Sequence, residues 1–281
     1  MSDNVKVAVR VRPFNGREKQ RDATLIIAMN GNSTSITNPE TGEVKNFSFD
    51  YSYWSHSPAP NFATQKVVFD DLGIGVLENA WQGYNVGLFA YGQTGSGKSY
   101  SMVGYGEDKG IIPCACAEMF KRIENSNDPD VTYRVEASMS EIYNEKVRDL
   151  FNPGNKANHG GLKVRDNPKT GPYIEGLALL PVRNYIDIEH LMDGGTRART
   201  VASTQMNATS SRAHTLFSII LTQTKVDRAA GKATDKVSKI SLVDLAGSER
   251  VSGTHATGER LKEGAAIVSP ACPSLDNTSH T

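Results

Sequence analysis

Apolar and polar residues alternate from the first turns of the chain. Val5, Val7, Val9 and Val11 fall on one face of Val5–Arg12, the period-two signature of a strand. Shorter strand-like pieces follow at Thr24–Met29, Thr34–Thr37 and Val44–Phe49, separated by the turn-forming NGN and NPETG strings. The spacing then switches: Val67, Val68, Leu72, Val76 and Leu77 recur at helical intervals and predict a helix over Thr64–Trp81. Asn85–Tyr91 is a short apolar run ending at glycine, which predicts a buried central strand. A helix is expected after Gly92, and others over Ile112–Ile123 and Tyr185–Val201. Val131–Tyr143, His214–Val226 and Val237–Val243 read as strands, the last ending at Asp244. Asn152–Lys169, rich in Asn, Gly and Lys, reads as an exposed loop or hairpin. Strands alternating with helices predict an α/β fold, a central mixed sheet sandwiched by helices. No string divides the chain like a linker, so one domain is expected.

Composition narrows the class. Over 281 residues, 31 basic side chains balance 31 acidic ones, which excludes a globally basic nucleic-acid binder. No apolar run approaches the roughly 18 residues of a membrane-spanning helix. The opening MSDNVKVAVRVRP goes straight into strand alternation, without the apolar core of a signal peptide. Three cysteines (Cys114, Cys116 and Cys272) do not make a disulfide framework, so a reducing cytoplasm is expected.

The chemistry concentrates at Gly92-Gln-Thr-Gly-Ser-Gly97-Lys98-Ser99, a match to G-x-x-x-x-G-K-[ST] placed between a predicted strand and a predicted helix. Glycines let backbone N–H groups close around phosphate oxygens, and the following helix presents its positive end. Lys98 is expected on the β- and γ-phosphates of a nucleoside triphosphate, and the Ser99 hydroxyl on Mg²⁺. A triphosphate enzyme also needs a carboxylate beside the metal and a γ-phosphate sensor. Asp244-Leu-Ala-Gly247 supplies both at the end of an apolar strand. D-x-x-G is shared with GTPases, but those read guanine through N-K-x-D. The nearest string here, Asn155-Lys-Ala-Asn158, lacks the acid and precedes the D-x-x-G, which disfavours guanine.

Between these elements lies Asn207-Ala-Thr-Ser210-Ser211-Arg212-Ala-His214, and the second continues as Gly247-Ser-Glu249-Arg250. With Arg10-Val-Arg12-Pro13 and Tyr91-Gly-Gln-Thr-Gly-Ser-Gly-Lys-Ser, the chain resembles a kinesin motor domain over residues 5–267. Ser52-Tyr-Trp54, Lys98-Ser-Tyr100, Glu141-Ile-Tyr-Asn-Glu145 and Lys169-Thr-Gly-Pro-Tyr173 resemble the kinesin-3 branch. The resemblance implies a P-loop NTPase-type fold, ATP and Mg²⁺ as cofactors, microtubules as partner and a cytoskeletal location. Arg10, Arg12 and Pro13 would line the adenine and ribose side, with Tyr100 stacking near the base. Gln93, Thr94, Gly95 and Ser96 would complete the phosphate loop. Asn207, Ser210, Ser211 and Arg212 would form switch I, with Ser211 closing on Mg²⁺ and the γ-phosphate. Asp244, Gly247 and Glu249 would form switch II, Asp244 reaching the metal through water. In the family, Arg212 and Glu249 pair once ATP is bound, with Glu249 in the proton path.

After Glu263-Gly-Ala-Ala-Ile267 the text departs from the family, and Val268–Thr281 carries Pro270 and Pro273, which do not continue a helix. The expectation is a partial motor domain over 1–267 followed by a disordered tail, as a retained intron would encode. Microtubule binding is then expected to be weak or lost. Lys163, Arg165 and Lys169, with Arg250, Arg260 and Lys262, are the remaining basic candidates for contact with acidic tubulin. Two other classes stay open beside the motor: a non-motile nucleotide-binding fragment or inactive isoform, and a P-loop GTPase. Cargo is not legible, since no coiled coil or lipid-binding module is present.

Overall fold

The structure is a computed structural model and describes residues 5–155, 160–168, 171–205 and 210–249. The predictions at Asn207, Lys169, Arg250, Arg260 and Lys262, and that for the tail 268–281, lie outside the described residues. The chain divides into two compact units at Leu72/Gly73.

In the first unit, β1 (Ala8–Val11) is followed by the short helix α1 (Gly16–Gln20), whose start carries a complete capping box: the Asn15 side chain accepts from Glu18 N–H, and Glu18 returns the bond to Asn15 N–H. β2 (Ile27–Asn30), β3 (Ser33–Thr37) and β4 (Val44–Ser48) form an antiparallel meander, and β5 (Tyr51–Trp54) pairs in parallel with β1. Of the predicted Val5–Arg12 strand, only the middle is paired. Val5 and Val7 are exposed. The helix predicted over Thr64–Trp81 is three pieces. α2 (Gln65–Val68), capped by Thr64, runs into a π-helical turn at Phe69–Gly73 before α3 (Ile74–Trp81). The extra residue of a π turn shifts the phase of the apolar face without breaking the periodicity that announced a helix.

The second unit holds β6 (Val86–Ala90), α4 (Lys98–Met102), the small hairpin β7 (Gly104–Tyr105) and β8 (Asp108–Lys109), and α5 (Ile111–Glu124). Then come β9 (Val131–Tyr143), β10 (Lys146–Asp149), β11 (Val164–Asn167), β12 (Gly171–Ile174), β13 (Leu180–Val182), α6 (Tyr185–Gln205), β14 (His214–Asp227) and β15 (Lys232–Asp244). The main sheet runs β10-β9-β14-β15-β6, with β13 also on β9. All its pairs are antiparallel except β15–β6, which is parallel. The sheet is therefore mixed, as expected. β14 pairs on both sides, and its buried Phe217 and Ile219 stand opposite the equally buried Leu242 and Ile240 of β15. α6 lies on β9, where Gly195 leaves room for the Met139 sulfur: a Cβ on Gly195 would sit 2.5 Å from it. α5 buries Ile112, Cys116, Met119 and Phe120.

One prediction is corrected. Within the second unit, β6 stands at the edge of the main sheet and not at its centre. Among the described residues it pairs only with β15, and Phe89 is 64% exposed. An apolar run records that a strand is meant to be covered, not how many neighbours it has.

Candidate active site

β6 and β15 run in parallel with Val86 opposite Ile240 and Ala90 opposite Asp244, so both strands end at the same margin of the sheet. The segments that follow them, Tyr91–Gly97 and Leu245–Glu249, leave that margin together. Gly92, Gly95 and Gly97 have φ of 151°, 77° and 98°, a conformation that side chains with a Cβ rarely adopt. At Gly92 a Cβ would also stand 2.6 Å from Ser96 Oγ.

Lys98 opens α4 and folds back over the loop, its Nζ donating to the carbonyls of Gly92 (2.8 Å) and Gln93 (3.0 Å). Burial lowers its pKa from the ordinary lysine value, and the neighbouring carboxylates of Asp244 and Glu249 pull the other way. One residue on, Ser99 Oγ donates to Asp244 Oδ2 at 2.5 Å. Asp244 is buried, and its second oxygen, Oδ1, has no hydrogen-bond partner. A hydroxyl and a carboxylate with one orphaned oxygen fit a hard cation or its bound water, which takes oxygen ligands.

The turn after β15 is tied down by successive main-chain donors. Leu245 N–H donates to Ala90 O (3.2 Å), Gly247 N–H to Ser211 O (2.7 Å) and Ser248 N–H to Gly92 O (3.1 Å). Ala246 N–H donates to His214 Nδ1 at 3.1 Å. Ser210–Arg212 forms a single 3-10 turn leading into β14, so the switch I string and the D-x-x-G are already in contact through Ser211 and Gly247. The Thr94–Glu249 contact closes over Gly247: a Cβ there would lie 2.4 Å from Thr94 Oγ1 and closer still to the Glu249 carboxylate, so it would displace them.

Glu249 engages the loop rather than solvent. Its Oε2 accepts from Thr94 N–H at 2.8 Å, and its Oε1 accepts from the Thr94 hydroxyl. Partial burial would raise the Glu249 pKa, but these two bonds and the nearby Lys98 hold it below the usual glutamate value. This is a different use of the carboxylate from the Arg212 pairing that the family resemblance assigns to the ATP-bound state.

The remaining predicted residues have local partners. Tyr100 directs its hydroxyl to Asp108 Oδ2 (3.3 Å) and its ring lies near Tyr105. In the first unit, Arg10 donates to Ser55 Oγ (2.9 Å) and to Gln65 Oε1 (2.6 Å). Arg12 forms a two-pronged pair with Glu18, both bonds 2.7 Å, and also donates to the Pro13 carbonyl. Of the basic candidates, Lys163 is exposed beside the β11–β12 hairpin, and Arg165 pairs with Glu175 across it at 3.1 Å.

The sequence matches the family description "Kinesin motor domain" over residues 10–270. The chain belongs to the kinesin motor-domain family. Kinesin-related protein 1 of Dictyostelium discoideum is 59% identical over 280 residues, KIF1A of Rattus norvegicus 56% over 270, and unc-104 of Caenorhabditis elegans 52% over 269. Each alignment covers 94% of this chain but only 13%, 16% and 17% of the relative. These are motors of the KIF1/unc-104 type, the kinesin-3 group. A KIF14 segment solved with ADP in complex with a microtubule superposes with a TM-score of 0.84 at 43% identity, covering 94% of this chain and 74% of that one. A KIF14 dimer solved with AMP-PNP and a microtubule gives 0.85 at 42%, covering 95% and 75%.

Two contacts of this kinesin motor domain went unread in the sequence. The Thr94–Glu249 bonds join residues 155 positions apart, a proximity that only the β6–β15 pairing creates. His214 closes the Asn207–His214 string, and its bond to Ala246 N–H depends on the β15 turn lying beside it. A histidine ending a switch string just before a strand was the available signal.

Proposed function

We propose that this chain is an ATP-hydrolysing kinesin motor domain that works on microtubules in the cytoplasm. The observation that carries the reading is the Ser99–Asp244 contact, which joins the end of the phosphate loop to the D-x-x-G with one carboxylate oxygen left over. In a chain of this family, that pair suits Mg²⁺-nucleotide. Ser99, Ser211 and, through water, Asp244 would hold the metal. When bound, Mg²⁺ supplies positive charge to the phosphate oxygens.

The chain's own groups do the positioning. The N–H groups of the Gly92–Gly97 loop cradle the phosphates, and Lys98 exchanges two loop carbonyls for β- and γ-phosphate oxygens. Gly247 N–H exchanges the Ser211 carbonyl for the γ-phosphate. Glu249 leaves Thr94, pairs with Arg212 and, in the proton path, orients the attacking water. Phosphoryl transfer depends on such placement and charge stabilisation more than on a strong base. The KIF14 structures, solved with nucleotide and microtubules, support microtubules as the partner.

Microtubule co-sedimentation of the full chain, with ATP, GTP, ADP and a non-hydrolysable ATP analogue in competition, tests the reading. ATP-selective binding is expected, with sedimentation that is weak, salt-sensitive and nucleotide-dependent. Nucleotide binding without any sedimentation would leave a non-motile nucleotide-binding protein, and a preference for GTP would point to a GTPase.

A further inference from the structure

Four consecutive N–H groups hold the switch II turn, the outer two and the inner two finding acceptors on different sides. Leu245 and Ser248 reach back to Ala90 and Gly92 on the phosphate-loop strand and its loop. Ala246 and Gly247 reach His214 and Ser211 on the switch I side. Three of these acceptors are backbone carbonyls, which no substitution removes. The fourth is the imidazole of His214, the only one written in a side chain.

We infer that His214 is a positioning residue that anchors the 245–246 peptide and thereby tunes the site toward a nucleotide that carries a γ-phosphate. The inference rests on the proposed ATP site and deepens it. Gly247 N–H is the group that has to turn from the Ser211 carbonyl to a new acceptor. It can do so accurately only if the preceding N–H keeps its partner, because the 245–246 peptide is then a fixed pivot. His214 suits that task. It opens β14, where it pairs opposite Ile142 of β9, so the ring is carried by the middle of the sheet and not by a loop. Nδ1 accepts the Ala246 bond, which places the ring proton on Nε2. Half-burial favours the same neutral state. ADP makes no contact that needs the Gly247 swing. The anchor therefore acts on triphosphate affinity selectively.

The test uses the full chain and three variants. In H214N the amide oxygen stands at the same number of bonds from the backbone as Nδ1 and can accept. H214L fills similar space without an acceptor. H214Q keeps polarity and bulk but carries its amide one bond too far, and serves if H214L does not fold. Calorimetric titration with Mg-AMP-PNP and Mg-ADP should show the triphosphate analogue weakened roughly five- to tenfold in H214L or H214Q, the scale of one hydrogen bond. ADP should stay within twofold, and H214N within twofold for both ligands. Equal weakening of both ligands, no weakening of either, or H214N falling as far as H214L would overturn the assignment. A second readout needs no ligand. The imidazole ¹⁵N spectrum should report the Nε2–H tautomer, and amide exchange at Ala246 and Gly247 should accelerate in H214L but not in H214N. If the parent chain binds neither nucleotide, the proposed function falls, while the amide-exchange comparison still decides whether His214 anchors the turn.

Discussion

Glu249 closes on Thr94 with both carboxylate oxygens, one on the backbone N–H and one on the hydroxyl. The residue expected to handle a proton during hydrolysis is thus held against the phosphate loop by a residue of that loop. Lys98 beneath it is likewise turned onto the loop's own carbonyls. The site satisfies itself internally, and the proposed nucleotide binding would exchange these partners for phosphate oxygens.

The first consequence is electrostatic. Thr94→Val removes one of the bonds that stabilise the Glu249 carboxylate, so its pKa should move up toward the ordinary glutamate value. Because a depressed carboxylate adds stability that is present above its unfolded pKa and lost as pH falls through the folded one, the variant should lose less stability on acidification. A ¹³C-detected titration of the Glu249 carboxyl checks it. A value unchanged from the parent would mean that the contact does not hold in solution.

Lys98→Ala removes the charge that is to meet the β- and γ-phosphates. A charge-assisted hydrogen bond contributes about 1.5–3 kcal/mol, so ATP affinity should fall by roughly ten- to a hundredfold. Calorimetry on parent and variant decides. Affinities within twofold would contradict the loop's assignment.

Arg212→Ala and Glu249→Ala should each spare nucleotide binding and strongly depress hydrolysis, and the double variant should be little worse than either single one. Groups that act as a unit are non-additive in this way. Single-turnover hydrolysis is the measurement, and additive losses would argue that the two residues do not pair in the reacting state.

In the first unit, hydrogen bonds from Arg12, and then from Asn15 N–H, lower the Glu18 pKa to about 2 from an ordinary value of 4.5. The contribution to stability is complete above pH 4.5 and disappears as pH falls toward 2. Arg12→Ala should return the Glu18 carboxyl most of the way to its usual value in an NMR titration, while Asn15 still caps α1. No upward movement would show that the cap alone sets it.

The sheet itself can be probed at Ile240, which is fully buried opposite Ile219. Ile240→Val should cost about 0.5–1.5 kcal/mol and Ile240→Ala about 2–5 kcal/mol in denaturant unfolding. Equal, small losses for both would mean that the β14–β15 centre is not close-packed.

What the sequence revealed follows the range of each interaction. Val131–Tyr143 matched β9 at both ends because long alternation bounded by turn residues is a local signal. β5, β10 and β13 were missed: three or four residues are too short to show a period, and each exists because a neighbouring strand receives it. The polar first half of β15, Lys232–Lys236, was missed for a related reason, being a strand only as the partner of β14. At the site, the glycines, Lys98, Ser99 and Asp244 were legible because each chemical task dictates a residue type. The Glu249–Thr94 contact and the anchoring role of His214 were not, since they depend on which strands lie side by side.

That last dependence sets a tolerance for the molecule. Ser99 and Asp244 meet because Ala90 faces Asp244, an alignment set by the register of one five-residue strand and continued by the Leu245–Ala90 and Ser248–Gly92 bonds. A slip of a single position between β6 and β15 would carry Asp244 about 3.3 Å along the sheet and exchange the faces on which its neighbours point. Length changes elsewhere, as between β11 and β12, leave the alignment untouched. The proposed nucleotide site is aligned at one seam, so changes of chain length far from that seam leave its geometry in step.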